Sequence, residues 1–172
     1  MTLEIRNFLL HATGADSARK IETIQSLWSG YGSIDRYDLR GAEQPSIVVK
    51  HVCPPDKKHH PRGWNTDRSH QRKLRSYRIE SHWYEHWAKQ CSDDCRIPVC
   101  FALEKNADEV FMALEDLDCN GFPARKSRAS VGEMHSCLNW LAHFHAIFMG
   151  VKPEGLWKVG TYWHLRTRPD EL

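Results

Sequence analysis

Lys50 closes the run Ser46-Ile47-Val48-Val49-Lys50, downstream of the glycine-containing turn Trp28-Ser29-Gly30-Tyr31-Gly32. An ammonium fixed at a strand end, beside backbone that glycine lets approach closely, is chemistry suited to phosphate oxygens. A lone lysine there is equally a solvated strand end, so the reading depends on an anionic partner. Glu80 is the candidate. From Ser69 to Lys89 the apolar residues Leu74, Tyr77, Tyr84, Trp87 and Ala88 recur at helical spacing. Glu80 falls three after Tyr77 and four before Tyr84, on the inward stripe of that helix. A carboxylate on a buried face is costly unless a cation meets it, the alternative being a side chain that snorkels to the edge.

The elements that must position this pair follow from the pattern around them. Residues 2–13 read as a short helix ended near Thr13-Gly14, Ile21 to Trp28 as a strand, and Ser33 to Leu39 as its hairpin partner. Gly41 to Pro45 turns the chain into the Lys50 strand, whose Ile and Val residues favour a pleated, buried surface. Three antiparallel strands joined by short turns make a meander. Cys53-Pro54-Pro55 ends the sheet segment and opens a polar loop to about Asp67, before the Glu80 helix. Pro98 to Leu103 and Glu109 to Leu114 read as two more strands, separated by the polar turn Lys105-Asn106-Ala107-Asp108. Glu115-Asp116-Leu117-Asp118 breaks the apolar pattern, and a loop with Gly121 and Pro123 leads to Ser130-Val131-Gly132-Glu133, a capping box that starts a helix reaching Phe148.

Composition bounds the class. The 172 residues, 41% hydrophobic and 27% charged, suit one soluble domain or two small lobes. No apolar stretch approaches the roughly 20 residues that span a bilayer, and Glu4 and Arg6 before Phe8-Leu9-Leu10 lack a signal peptide's layout, so a cytoplasmic location is expected. The six cysteines are scattered, as in a reduced compartment. Cys91, Cys95 and Cys100 lack a fourth ligand for zinc, and His143 and His145 point to nearly opposite faces of their helix, so no metal site is expected. Net charge is +2, yet eight Lys or Arg lie between Asp56 and Arg78 with Trp64 and Tyr77 among them. That run is either a nucleic-acid footprint or a solvated loop and outer helix face; the second fits the helix that carries Glu80.

Taken in order, the chain reads strand, glycine turn, strand, strand ending in Lys50, helix with inward Glu80, two strands, acidic connector, long helix. This order resembles the N-terminal lobe of the protein-kinase-like fold, as found in the aminoglycoside phosphotransferase and choline kinase group. Leu141-Ala142-His143-Phe144-His145-Ala146 is similar to that group's first helix of the second lobe, and Leu114-Glu115-Asp116-Leu117 to its hinge. Glu80 followed by Tyr84 resembles the ecdysteroid-kinase-like branch. The resemblance implies an α+β fold, a five-stranded antiparallel sheet with one packed helix, followed by the first helical part of a C-lobe. Residues 1–118 would be the kinase-like N-lobe, and 119–172 the loop after the hinge and the start of the second lobe.

The resemblance also implies ATP with magnesium, and roles for particular residues. Amides around Ser29, Gly30 and Gly32 would approach phosphate oxygens, Lys50 would meet the α- and β-phosphates, and Glu80 would hold its ammonium. Leu114 would back the adenine, with the Glu115 carbonyl and the Leu117 amide bonding the purine edge. Side chains of that hinge would matter less than its backbone and tolerate substitution.

Members of this group carry a His-Gly-Asp segment with the catalytic base and a later magnesium-binding Asp. No His-Gly-Asp occurs here, so magnesium ligands are not expected within this chain. The expectation is the N-terminal portion of a small-molecule phosphotransferase acting on a hydroxyl group, truncated naturally or by its gene boundary and inactive alone. Its partners would be a nucleotide and, in a full-length relative, a hydroxyl-bearing acceptor. A second reading is a non-catalytic interaction module that pairs with a partner or a second copy through the lobe face left uncovered, motivated by the aromatic cluster from Leu156 to Trp163. Nucleic-acid binding through residues 57–78 ranks last, and no membrane association is expected.

Overall fold

Buried side chains at Ile47, Val49 and Val52 fall on both faces of the strand Ser46–Val52, which places it between two covered sides of a sheet. The computed structural model describes residues 3–55, 67–107, 109–159 and 164. Its elements are α1 (Leu3–Thr13), β1 (Ser17–Ser26), a 3-10 turn at Trp28–Gly30, β2 (Gly32–Arg40), β3 (Ser46–Val52), α2 (Asp67–His86), β4 (Cys100–Asn106), β5 (Glu109–Glu115) and α3 (Val131–Phe148). Two further 3-10 turns, Ala88–Gln90 and Asp93–Cys95, join α2 to β4. The sheet order is β1-β2-β3-β5-β4, and every neighbouring pair is antiparallel. The fold is therefore α+β with a five-stranded antiparallel sheet, the layout expected of a kinase-like N-lobe.

The period of two divides the core between the faces. Ile47 and Val49, with Tyr37, Leu39, Phe111 and Ala113, bury against Ile5, Phe8 and Leu9 of α1. Val52, Val110 and Met112 bury on the other side with Leu27, Tyr31 and Leu74, the last from α2. Fully burying a side chain such as Leu9 or Ile47 is worth about 1.5–3 kcal/mol, which is what holds each helix on its face. Helix α2 is the expected packed helix, and α1 adds a second on the opposite face.

Several boundaries differ from the sequence expectation. β1 runs from Ser17 to Ser26, with Leu27 and Trp28 in the turn. Most of this edge strand is exposed, so backbone pairing to β2 holds it and apolar alternation does not mark it. β4 starts at Cys100 and continues through Lys105 and Asn106; Pro98 has no N–H to give the ladder. Only Ala107 of the anticipated polar turn shows the turn's positive φ, 54°, and Asp108 lies outside the described residues. Helix α2 begins earlier and ends at His86, so Trp87 leaves it and packs against Phe148 with ring centroids 5.9 Å apart.

The capping box forms as expected: the Glu133 amide donates to Ser130 Oγ, and the Ser130 amide donates to the Glu133 carboxylate. Helix α3 lies beside the end of α2, where Trp83 meets Phe144 and Phe148 at 5.6 and 5.3 Å. Trp140 Nε1 donates to the Arg96 carbonyl at 2.9 Å.

Candidate functional site

The Lys50 ammonium meets both oxygens of Glu80 at 2.6 Å. Lys50 is opposite Ile34 on β2 and Met112 on β5, so it stands on the α2 face, one step from Val49 on the α1 face. The helical period brings Glu80 to meet it from α2. Side-chain exposures of 13% for Lys50 and 32% for Glu80 place the pair at the edge of the core, wet enough for an anion to reach. The Tyr77 ring lies 5.4 Å from the Lys50 nitrogen and adds a cation–π contact. Tyr84, four residues beyond Glu80, is largely buried; burial, helped by the Glu80 and Cys100 charges, pushes its phenol up to about 12. It stays protonated across the physiological range.

The glycine turn lies at the same end of the ladder. Ser29, Gly30 and Gly32 all have positive φ, at 60°, 74° and 132°. Gly30 N donates to the Leu27 carbonyl at 3.2 Å, and Leu27 N to the Gly32 carbonyl at 2.9 Å, closing the turn on itself. Cys53 N donates to the Tyr31 carbonyl at 2.8 Å, tying the turn to the end of β3.

Helix α2 holds this turn in a way the sequence reading missed. Lys73 Nζ donates to Ser29 Oγ at 3.0 Å and lies 4.8 Å from the centre of the Tyr31 ring. Tyr31 Oη shares a 2.5 Å hydrogen bond with His70 Nδ1. Burial, then the charge of Arg72, lowers the Lys73 ammonium below the ordinary lysine range. Arg72 is itself buried. The expectation of an outward basic face is thus corrected for these two residues: one turn of α2 presents them inward, while Arg75 and Arg78 stay exposed. Residues 57–66 of the basic run lie outside the described residues. The missed signal was spacing, since Lys73 falls four before Tyr77 and seven before Glu80, on the same stripe.

The connector after β5 is fixed by its side chains, which corrects the expectation that they matter little. Asp116 is almost fully buried and takes Arg36 Nε at 2.8 Å and Ser46 Oγ at 2.6 Å. Arg36 also reaches Asp118 at 2.5 Å and pairs with Glu22. Glu115 pairs with Arg96 and accepts from Val99 N at 3.1 Å. In the backbone, Glu115 N donates to the Val99 carbonyl, and the Leu117 carbonyl accepts from Asn120 N and Phe122 N. These bonds use the groups complementary to the Glu115 carbonyl and Leu117 amide singled out in the sequence. Leu114 is half-buried and packs against the α2-side cluster, opposite Val48. Alternation puts Leu114, Met112 and Lys50 on one face.

An α+β lobe with a strand lysine held by a helix glutamate belongs, as a class, with kinase-like folds. The family model for the ecdysteroid kinase-like family matches residues 41–156, and the chain belongs to that family. No curated protein matches the chain.

Proposed function

We propose that this chain is the nucleotide-side part of an ATP-dependent phosphotransferase that acts on a hydroxyl group of a small molecule. One observation carries the reading: the Lys50 ammonium, bonded to both Glu80 oxygens at 2.6 Å, is oriented yet partly open to solvent. A cation so placed suits the α- and β-phosphates. Ser29 and Gly32 would offer backbone amides to the same anion, Gly30, whose own amide closes the turn on Leu27, would let the backbone approach it, and Leu114, Glu115 and Leu117 would line the adenine side. Bound ATP supplies the phosphoryl group; the lysine neutralises charge on it, and the glutamate keeps the lysine in place.

Magnesium is a separate matter. The nearby carboxylates Glu80, Glu115 and Asp116 are engaged by Lys50, Arg96 and Arg36, so they do not fit as its ligands. With no His-Gly-Asp in its sequence, the chain alone is proposed to bind nucleotide and not to transfer phosphate. In this reading residues 1–118 form the nucleotide lobe and 119–172 begin the second one.

Thermal unfolding with and without ATP tests this. Wild type should gain stability with nucleotide and Lys50→Ala should not. At about 100 times the dissociation constant the gain is ~2.7 kcal/mol. No gain in wild type at millimolar ATP would remove the reading.

A second reading, an interaction module, is favoured by Val131, Met134, Leu138 and Leu141, which recur along α3 and are 68%, 50%, 57% and 40% exposed. A monomer in sedimentation at tens of micromolar, by order of magnitude the range of a weak interface, would count against self-association. Among the described residues no helix is long and apolar enough to cross a membrane.

A further inference from the structure

His51, Cys53 and Glu109 converge on the face of the sheet away from the Lys50 site. His51 lies at the end of β3 and Cys53 one residue beyond it, two apart and on the same side. The ladder pairs His51 with Phe111 and Val52 with Val110, which puts Glu109, the first residue of β5, across from Cys53. The imidazole nitrogen, thiol sulfur and carboxylate oxygen all lie within 4.8 Å of one another, and His51 Nε2 is 2.6 Å from Glu109 Oε1.

The scaffold under these ligands is firm. The His51 ring stacks on Phe111 with centroids 4.3 Å apart and planes 11° apart. The Cys53 amide is anchored on the Tyr31 carbonyl, and Gly32 packs directly against the His51 carbonyl. Cys53 is exposed, while His51 and Glu109 are partly covered.

We propose that His51, Cys53 and Glu109 form a zinc-binding site. A sulfur, nitrogen and oxygen donor set suits a borderline-soft divalent ion; calcium and magnesium prefer oxygen alone. Among the described residues the site has three protein ligands, one short of zinc's tetrahedral four. On binding, the thiol loses its proton to solvent; the Nε2 proton that His51 holds against Glu109 also leaves to solvent, and the neutral ring keeps its N–H on Nδ1, so that the Nε2 lone pair and the freed carboxylate both turn to the metal. The metal would clamp the end of β3 to the start of β5, behind the glycine turn. The site stands independently of the nucleotide reading.

The test uses the full chain, reduced and metal-free, titrated with Co2+ under nitrogen. Wild type should develop a thiolate-to-cobalt charge-transfer band that saturates at one equivalent and is abolished by Zn2+. Cys53→Ser should lose the band, and His51→Ala should weaken binding by ~10-fold or more. The band should survive in Cys91→Ser and in His86→Ala, which alter the other thiol and histidine groupings. Circular dichroism confirms that each variant is folded, and zinc-dependent thermal stabilisation without nucleotide gives a second readout. Absence of the band in wild type, its persistence in folded Cys53→Ser, or its loss in Cys91→Ser would overturn the proposal.

Discussion

A Cβ placed on Gly32 would lie 1.9 Å from the carbonyl oxygen of His51 and 3.2 Å from the amide of Cys53. Both are backbone atoms of the central sheet region and its exit, so neither can swing away. Gly32 also has φ of +132°, a conformation closed to ordinary side chains. Gly30, at φ +74°, has open space for 4 Å around the point where a methyl would stand. Gly32→Ala should therefore cost several kcal/mol, and Gly30→Ala about 1 kcal/mol, in urea unfolding. Equal costs would show that the turn can move off β3.

Lys50 and Glu80 should separate binding from stability. Because Glu80 is about a third exposed, breaking the pair should cost only ~1 kcal/mol of folding stability. The effect on nucleotide should be larger: Lys50→Ala should abolish ATP-dependent stabilisation, and Glu80→Gln should reduce it while keeping the side chain's volume. Thermal melts over an ATP series measure both quantities. Full ATP response in Lys50→Ala would count against the assigned role.

Arg36 and Asp116 should behave in the opposite manner. Asp116 has 1% side-chain exposure, so Arg36→Ala leaves a buried carboxylate without its cation and should cost about 3–5 kcal/mol. Replacing both, as Arg36→Met with Asp116→Leu, should restore part of that loss, because no buried charge is then left alone. A double-mutant cycle by chemical denaturation reads the coupling.

Asp35 gives an acid-side prediction. Burial raises its carboxyl, but hydrogen bonds from Lys20, Thr23 and Ser33 and the charge of Lys20 outweigh this and leave it below the ordinary carboxylate range. The Lys20 ammonium stands 2.8 Å away. A carboxyl lowered in the folded state contributes stability above its unfolded value, about 4, and that contribution is lost as pH falls through the folded value. Asp35→Asn should be less stable at neutral pH and show a shallower decline below about pH 4 in denaturation series. An unchanged acid limb would mean that other carboxylates set it.

Much of this molecule is legible in its residues. The Ile-Val-Val run of β3, the stripe that carries Glu80 and the Ser130–Glu133 capping box are local patterns, and each formed where spacing put it. Local patterns are readable because the period of a strand or helix is fixed by its backbone. β1 was harder to delimit, since an edge strand needs a partner's backbone and not an apolar face. The inward turn of Arg72 and Lys73 was hidden too, because charge alone does not say which cations find an acceptor or a ring.

The sequence by itself determined the two faces of the sheet, the stripe of α2 and the presence of a lysine and a glutamate suited to each other. Only the tertiary structure decided that Arg36 fixes Asp116, that Lys73 holds Ser29, and that His51, Cys53 and Glu109 share a corner. These contacts join residues separated by up to 80 positions along the chain, as Arg36 and Asp116 are. Their meeting depends on strand order and register, which arise from the packing of the whole lobe and leave no mark in the spacing of any one segment.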